Sequence, residues 1–375
     1  MPTVIVMQVR TEDSKTGRVE SLDVLRGLAV AGMIVVNNPG DWTAVYPQLL
    51  HAYWTGLTLA DLVFPAFIFT MGAALPIAIA RRRAAGASTK DLYRHICVRV
   101  VVLVVFGLVL NAVSAAPQIS PLRIPGVLQR IALAYLVAAI VVLHVRQARW
   151  LVVAAVLLVG HWALLTLVPF GGHAAGTISP DANLAGFIDT RVFGRHALAI
   201  PIDPEGLLGT LTASASAVLG AAAGQLIGQT PAGAIGARTV AVGGAVMLTG
   251  GWLWSVALPV SKPLWTGSFA LVTAGVTAIV LAGIYFVVDV RGLRRWSLPF
   301  AWLGANALGI YAGSEVARRL LDRPRAWLFW EVLEPIFRGR PENASLVMAI
   351  ALLTVWIVVA RFLADVPPSR VRTPE

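Results

Sequence analysis

Charge is scarce in this sequence and cysteine is almost absent. Only 13% of the 375 residues are Asp, Glu, Lys or Arg, about half the share usual in a soluble domain. The single cysteine, Cys97, excludes an internal disulfide and any cysteine-rich metal site. None of the six histidines stands at a zinc-site spacing such as H-E-x-x-H, so no metal is expected. No phosphate loop, dinucleotide fingerprint or G-x-S-x-G occurs in a usable context. The first twenty residues lack an apolar core with a small-residue cleavage site, so no cleaved signal peptide is read there. No internal repeat is strong enough to argue an inverted-repeat transporter.

What the chain has in quantity is apolar length. Hydrophobic residues make up 57% of it, and the mean hydropathy is +0.76. Ten runs approach the roughly 20 residues that cross a bilayer: 21–38, 57–80, 94–115, 125–145, 150–168, 206–226, 238–259, 266–289, 298–317 and 344–364. The net charge of +11 needs no nucleic acid, because basic residues collect in cytoplasmic loops. Arg81-Arg82-Arg83, Lys90, Arg94 and Arg99 flank the second-to-third turn, and Arg146, Arg149, Arg238, Arg291, Arg294 and Arg295 follow later even-numbered spans. The chain is therefore expected to be all-α, a polytopic transmembrane helical bundle of about ten spans with both termini cytoplasmic. A tail over 1–20 and another over 366–375 would flank a core over 21–365. Longer outer loops are expected over 169–205 and 318–343, the second lying as an interfacial amphipathic helix with Trp327 and Trp330 against lipid. Residues 227–237 read as a plain cytoplasmic loop.

One stretch stands out, NNPGDWTAVYPQLLHAYWTGLTLADLVFP over 37–65. The first span ends at Asn37-Asn38-Pro39-Gly40, an aromatic loop carries His51, and the second span takes Asp61 into its first turns. Imidazole can act as base or nucleophile near neutral pH. A carboxylate inside an apolar helix is costly enough to suggest function. The same stretch also reads as an aromatic belt at the membrane surface with a solvated histidine.

The topology gathers further polar residues toward the same outer side. Arg130 falls one to two turns into the fourth span, Asp203 and Glu205 lead into the sixth, and Ser261, Lys262 and Trp265 precede the eighth. Asn306 falls mid-membrane in the ninth. A shared extracytoplasmic cavity accounts for them together. Each also has a structural reading. Asp61 and Arg130 can form an ion pair between helices, Asp203 and Glu205 can serve a helix N-terminus, and Asn306 can link two helices. Asp23 and Arg26 can pair at i, i+3 on the first span. His161 on the fifth span suits a packing residue. A midplane Asp, Arg and Asn also suit a permease for amino sugars or another small solute.

Six segments carry a resemblance, in the same order along nearly all ten spans. They are SLDVLRGLAVAGMIVVNNPG (21–40), LLHAYWTGLTLADLVFPAFIFTMG (49–72), RIPGVLQRIALAY (123–135), PIDPEGLLGTLTA (201–213), KPLWTGSFAL (262–271) and LGANALGIY (303–311). Together they resemble the membrane core of the heparan-alpha-glucosaminide N-acetyltransferase family, in a bacterial-type form without the N-terminal luminal domain and leading span of the lysosomal member. The resemblance implies transfer of an acetyl group from cytosolic acetyl-CoA to an amino sugar or glycan across the membrane, here expected to be a bacterial inner membrane. It implies that His51 is the reactive histidine, as acetyl carrier or general base, and that Asn37 is the functional asparagine before it. Asp61 would then fix the imidazole or bind the acceptor amine. Arg130, Asp203, Glu205, Lys262, Trp265 and Asn306 would serve the acceptor, and Arg26 with Asp23 the phosphates of acetyl-CoA. A homodimer follows from the resemblance alone.

Overall fold

The computed structural model describes residues 19–116, 120–197, 202–229 and 233–364. The expected tails over 1–20 and 366–375 lie outside these residues, apart from Val19 and Glu20. Every named element among the described residues is helical. Among the described residues eight helices are long and apolar enough to cross a membrane, and the chain is an integral membrane protein.

All ten expected runs are helical, but two fall short of a plain span. The first helix, α1 (Glu20–Asn37), carries Glu20, Asp23 and Arg26 in its 18 residues. The acidic pair in its first turn complements the positive helix end. The ninth run is broken. It forms α10 (Leu298–Ala305) and α11 (Ala307–Leu320), with Asn306 between them. A chain break at membrane depth persists where it lines a cavity and not where it meets lipid, and Asn306 does line one, together with Arg26 and Arg99. The remaining spans are α2 (Leu59–Ala84), α3 (Thr89–Ala115), α4 (Val127–His144), α5 (Trp150–Leu167), α7 (Leu207–Gln229), α8 (Ala234–Trp254), α9 (Gly267–Tyr285) and α12 (Pro341–Ala364). The loop expected over 227–237 is shorter than that, because α7 runs to Gln229 and α8 starts at Ala234. The outer loop 169–205 contains one further helix, α6 (Leu184–Phe193), capped by Asn183, whose side chain accepts from Gly186 N at 2.7 Å. Over 318–343 short helical turns replace a single amphipathic helix, although Trp327 and Trp330 are exposed as expected and Phe329 is buried.

Two close crossings hold the core that positions the site. Gly27 on α1 meets Gly304 on α10: a Cβ on Gly27 would stand 1.8 Å from the Phe300 carbonyl oxygen, and one on Gly304 1.8 Å from that of Asp23. On α7, Gly220 and Gly224 press against the α2 backbone at Phe69 and Ala73, while Gly72 of α2 presses back on Ala217. Small residues let membrane helices approach this closely, where packing replaces the hydrophobic drive. At the other extreme α3 leaves Val98, Val101, Val105 and Val109 exposed, a lipid-facing stripe.

The bundle thus has two ends. Glu20 and Ser21 of α1 donate their backbone N–H groups to Asp289 just beyond α9, and Glu20 pairs with Arg294. Arg26, Arg81 and Arg82 gather at this end. Asn37, His51, Lys262, Glu205 and Tyr311 gather at the other.

Candidate active site

Asp61 is the anchor of the second end. It is the third residue of α2 and closes a capping box with Thr58. Its Oδ2 accepts from Thr58 N at 3.1 Å, Thr58 Oγ1 at 3.0 Å and Ala52 N at 3.1 Å. The first of these is ordinary helix-start chemistry. The bond from Ala52 is not local, and it draws the aromatic loop down onto the helix start. That brings His51 into place, with Nδ1 2.9 Å from Asp61 Oδ1. Asp61 is fully buried while the His51 side chain is 47% exposed. The carboxylate is thus fixed by four contacts and holds a ring that faces open space.

Lys262 completes the group from 211 residues away. Its Nζ lies 2.8 Å from His51 Nδ1, 3.1 Å from Nε2 and 3.4 Å from Asp61 Oδ1. It reaches there from the turn between α8 and α9, where Thr266 caps α9 by accepting from Phe269 N. Burial pulls the Lys262 ammonium below its ordinary pKa, and the charges of Asp61 and Glu205 oppose that pull.

A cavity of about 80 Å³ lies under this group, lined by His51, Lys262, Asn37, Glu205, Val127 and Tyr311 among others. Asn37 closes α1 and donates from Nδ2 to Glu315 Oε1 at 2.9 Å, while Arg318 holds Glu315 Oε2 at 3.1 Å. Asn38 turns the other way and donates to the Ile34 carbonyl at 2.8 Å. The geometry therefore separates the two asparagines, since Asn37 alone lines the cavity.

The other residues singled out in the sequence divide between this end and the opposite one. Asp203 and Glu205 both pair with Arg123, which grips Asp203 through Nε at 3.0 Å and Nη2 at 2.6 Å. Burial works against the Arg123 charge, and the two carboxylates outweigh it and raise its pKa. Glu205 also reaches the cavity, whereas Asp203 is buried behind it. Arg130 does not pair with Asp61. It is fully buried, donates from Nη2 to the Gly206 carbonyl at 3.0 Å and lies 4.8 Å over the Trp265 ring. Trp265 is itself fully buried between Phe64 and Phe269. His161 is fully buried in α5, outside the His51 group.

Arg26, Asp23 and Asn306 belong to the opposite end. Arg26 Nη1 lies 3.0 Å from Asp23 Oδ1, the i, i+3 pairing that was the alternative to a role in phosphate binding. Three cavities converge on Arg26. One of about 570 Å³ is lined also by Asp23, Arg81 and Arg82. One of about 220 Å³ adds His95, Arg99 and Tyr135. One of about 330 Å³ adds Asn306 and the α10–α11 break. Guanidinium groups converging on open space form a site suited to phosphate.

Glu315, Arg123 and Tyr311 were not among the site residues expected from the sequence. Glu315 had a visible signal, because it lies inside the run 298–317 and an acidic residue in a span is a functional suspect. Arg123 opens the RIPGVLQR segment and Tyr311 closes LGANALGIY, but nothing in their spacing connects them to His51.

Asp189, on α6, ties the outer loop to the site's frame by accepting from Leu207 N at 2.9 Å. Burial raises its pKa from 3.8 to about 6. The folded carboxyl thus holds its proton more tightly than the unfolded one. Stability grows as pH falls from about 6 toward 3.8 and is lost as pH rises again. Asp189→Asn keeps an acceptor for Leu207 and removes the charge. The variant should be more stable than wild type at pH 7.5 by on the order of 2 kcal/mol, with the difference vanishing near pH 4. Thermal unfolding in detergent across that range checks it.

The sequence profile of the catalytic region of heparan-alpha-glucosaminide N-acetyltransferase matches residues 18–181, a range that holds Asn37, His51, Asp61 and Arg130. The human heparan-alpha-glucosaminide N-acetyltransferase is 29% identical over 92% of this chain and 58% of its own length. The mouse protein of the same name is 27% identical over 94% of the chain and 60% of its own. The chain thus spans about three-fifths of the length of these relatives. Across nine-tenths of its length this chain is similar to the human and mouse heparan-alpha-glucosaminide N-acetyltransferases.

Proposed function

We propose that the protein is an integral-membrane acetyltransferase that moves an acetyl group from acetyl-CoA to the amine of an amino sugar or a glycan bearing one. The observation that carries this reading is the His51–Asp61–Lys262 group over a cavity at one end of a bundle whose other end holds arginine-lined cavities. Arg26 and Asn37 are eleven residues apart on one helix, about 16 Å along its axis. An extended pantetheine arm covers such a span, with its phosphates at Arg26, Arg82 and Arg99 and its acetyl end toward His51. The arginine-rich end then faces the cytosol, by the positive-inside rule, and the acceptor arrives at the His51 end. A bacterial inner membrane suits that arrangement.

Acetyl-CoA supplies the activated thioester. The chain's own residues do the rest. Asp61 accepts the proton of His51 Nδ1, which fixes the tautomer and puts the lone pair on Nε2, beside Lys262 Nζ at 3.1 Å. Two routes use that lone pair. In one, Nε2 attacks the acetyl carbonyl carbon, the carbon–sulfur bond breaks with CoA leaving as thiolate, and the acceptor amine then displaces the imidazole. In the other, the amine attacks the acetyl carbonyl carbon directly, Nε2 takes the proton it releases, and the carbon–sulfur bond breaks with CoA leaving as thiolate. In both, Asn37 and Lys262 are the nearby donors for negative charge developing on the carbonyl oxygen.

The test is incubation of purified protein with labelled acetyl-CoA and a panel of amino sugars. Labelled N-acetyl product is the expected result. Sugar accumulation in vesicles without acetyl-CoA, and with no acetylated product, is the behaviour of a permease and would replace this reading.

A further inference from the structure

Next to the cavity under His51 lies a larger one of about 360 Å³ that shares Val127 and Tyr311 with it. It opens between α3, α4 and α11 at the His51 end, and none of the chemistry described so far uses it. Its volume falls within the roughly 300–1,000 Å³ of small-molecule sites. Asn111, Gln129, Arg123, Glu315 and Arg318 supply polar groups, while Leu110, Val127 and Leu128 supply apolar wall. Hydrogen-bonding groups set beside apolar surface match a pyranose, which presents hydroxyl edges and C–H faces.

Two details narrow the ligand. Gln129 is 8% exposed, and neither atom of its amide has a hydrogen-bond partner among the described residues. Buried carboxamides are rarely left so, and a ligand's hydroxyl would satisfy this one. Glu315 stands on the partition between the two cavities. One of its oxygens accepts from Asn37, which lines the His51 side, and the other is held by Arg318, which lines this one. A carboxylate in that place can hold an ammonium group and direct it across the partition toward His51.

We infer that this cavity is the subsite for the acceptor's amino-sugar ring, with Glu315 binding its ammonium and Gln129 and Arg318 its hydroxyls. The assignment rests on the acetyltransferase reading. Two variants probe it independently. Glu315→Gln removes the charge at nearly constant shape. Ser114→Trp fills the cavity from its exposed rim and disturbs no polar partner of the ring. In steady-state assays with acetyl-CoA and glucosamine, both should raise KM for glucosamine at least tenfold and change KM for acetyl-CoA less than twofold. Thermal stabilisation of the protein by glucosamine alone should disappear in Ser114→Trp. If both variants transfer acetyl with glucosamine KM within twofold of wild type, the subsite is wrong and the acetyltransferase reading stands. If wild type transfers no acetyl group, that reading falls and the thermal shift decides the cavity by itself. A glucosamine shift abolished by Ser114→Trp upholds the site, and no shift in wild type overturns it.

Discussion

Replacing His51 by alanine is expected to lower acetyl transfer by about 10² to 10⁴-fold, the usual contribution of a positioned base or nucleophile. Stability should hardly change. The His51 side chain is 47% exposed and its departure opens no core cavity. Asp61 keeps its three donors from Thr58 and Ala52 and its neighbour Lys262. Loss of rate without loss of fold is the distinguishing result. Initial rates at saturating acetyl-CoA, beside thermal unfolding of the same preparation, measure both. A variant with wild-type rates would remove the reason for placing the chemistry at this end.

Asp61→Asn should have an effect of comparable size by a different route. The carboxylate accepts on both sides, from the His51 ring through Oδ1 and from Thr58 and Ala52 through Oδ2. An amide can accept on one side only. If its oxygen stays with Thr58 and Ala52, its NH₂ faces Nδ1 and forces the other tautomer, with the proton on Nε2. The imidazole then has no lone pair where the substrates meet. Transfer should fall by about 10² to 10⁴-fold, the penalty seen when a catalytic histidine is held in the wrong tautomer. Unlike His51→Ala, this change should also cost about 1–3 kcal/mol of stability. It removes a buried acceptor from Lys262, which is 9% exposed. Retention of transfer in Asp61→Asn together with its loss in His51→Ala would assign Asp61 to the helix cap alone.

The contrast between these two residues shows how much of the molecule the sequence reveals. Apolar length and turn residues located all ten helical runs, because bilayer thickness imposes one strong requirement on each. The break at Asn306 was not legible, since LGANALGIY keeps its apolar character through it. In the structure the break lines a cavity shared with Arg26. Helix α6 was likewise hidden in a loop, because ten residues leave too short a pattern to read. Within the site, His51 and Asp61 are ten residues apart and one stretch placed both. Lys262 was assigned to the same side, yet its contact with both ring nitrogens depends on how the turn before α9 packs. The ion pair considered for Asp61 named Arg130, and the structure puts Lys262 there instead. Arg130 turns to the Gly206 carbonyl and Trp265 because it enters from α4, behind the start of α7. Depth can be read from a sequence, but the direction a side chain takes at that depth is set by its neighbours.

The most direct test of the account places the two substrates on opposite sides of a bilayer. Purified protein is reconstituted into vesicles with glucosamine sealed inside and acetyl-labelled acetyl-CoA added outside. Labelled N-acetylglucosamine should form inside the vesicles with wild type and be lost with His51→Ala. Labelled product that forms equally in the His51→Ala vesicles, or glucosamine that leaves unacetylated while acetyl-CoA remains intact, would contradict the account.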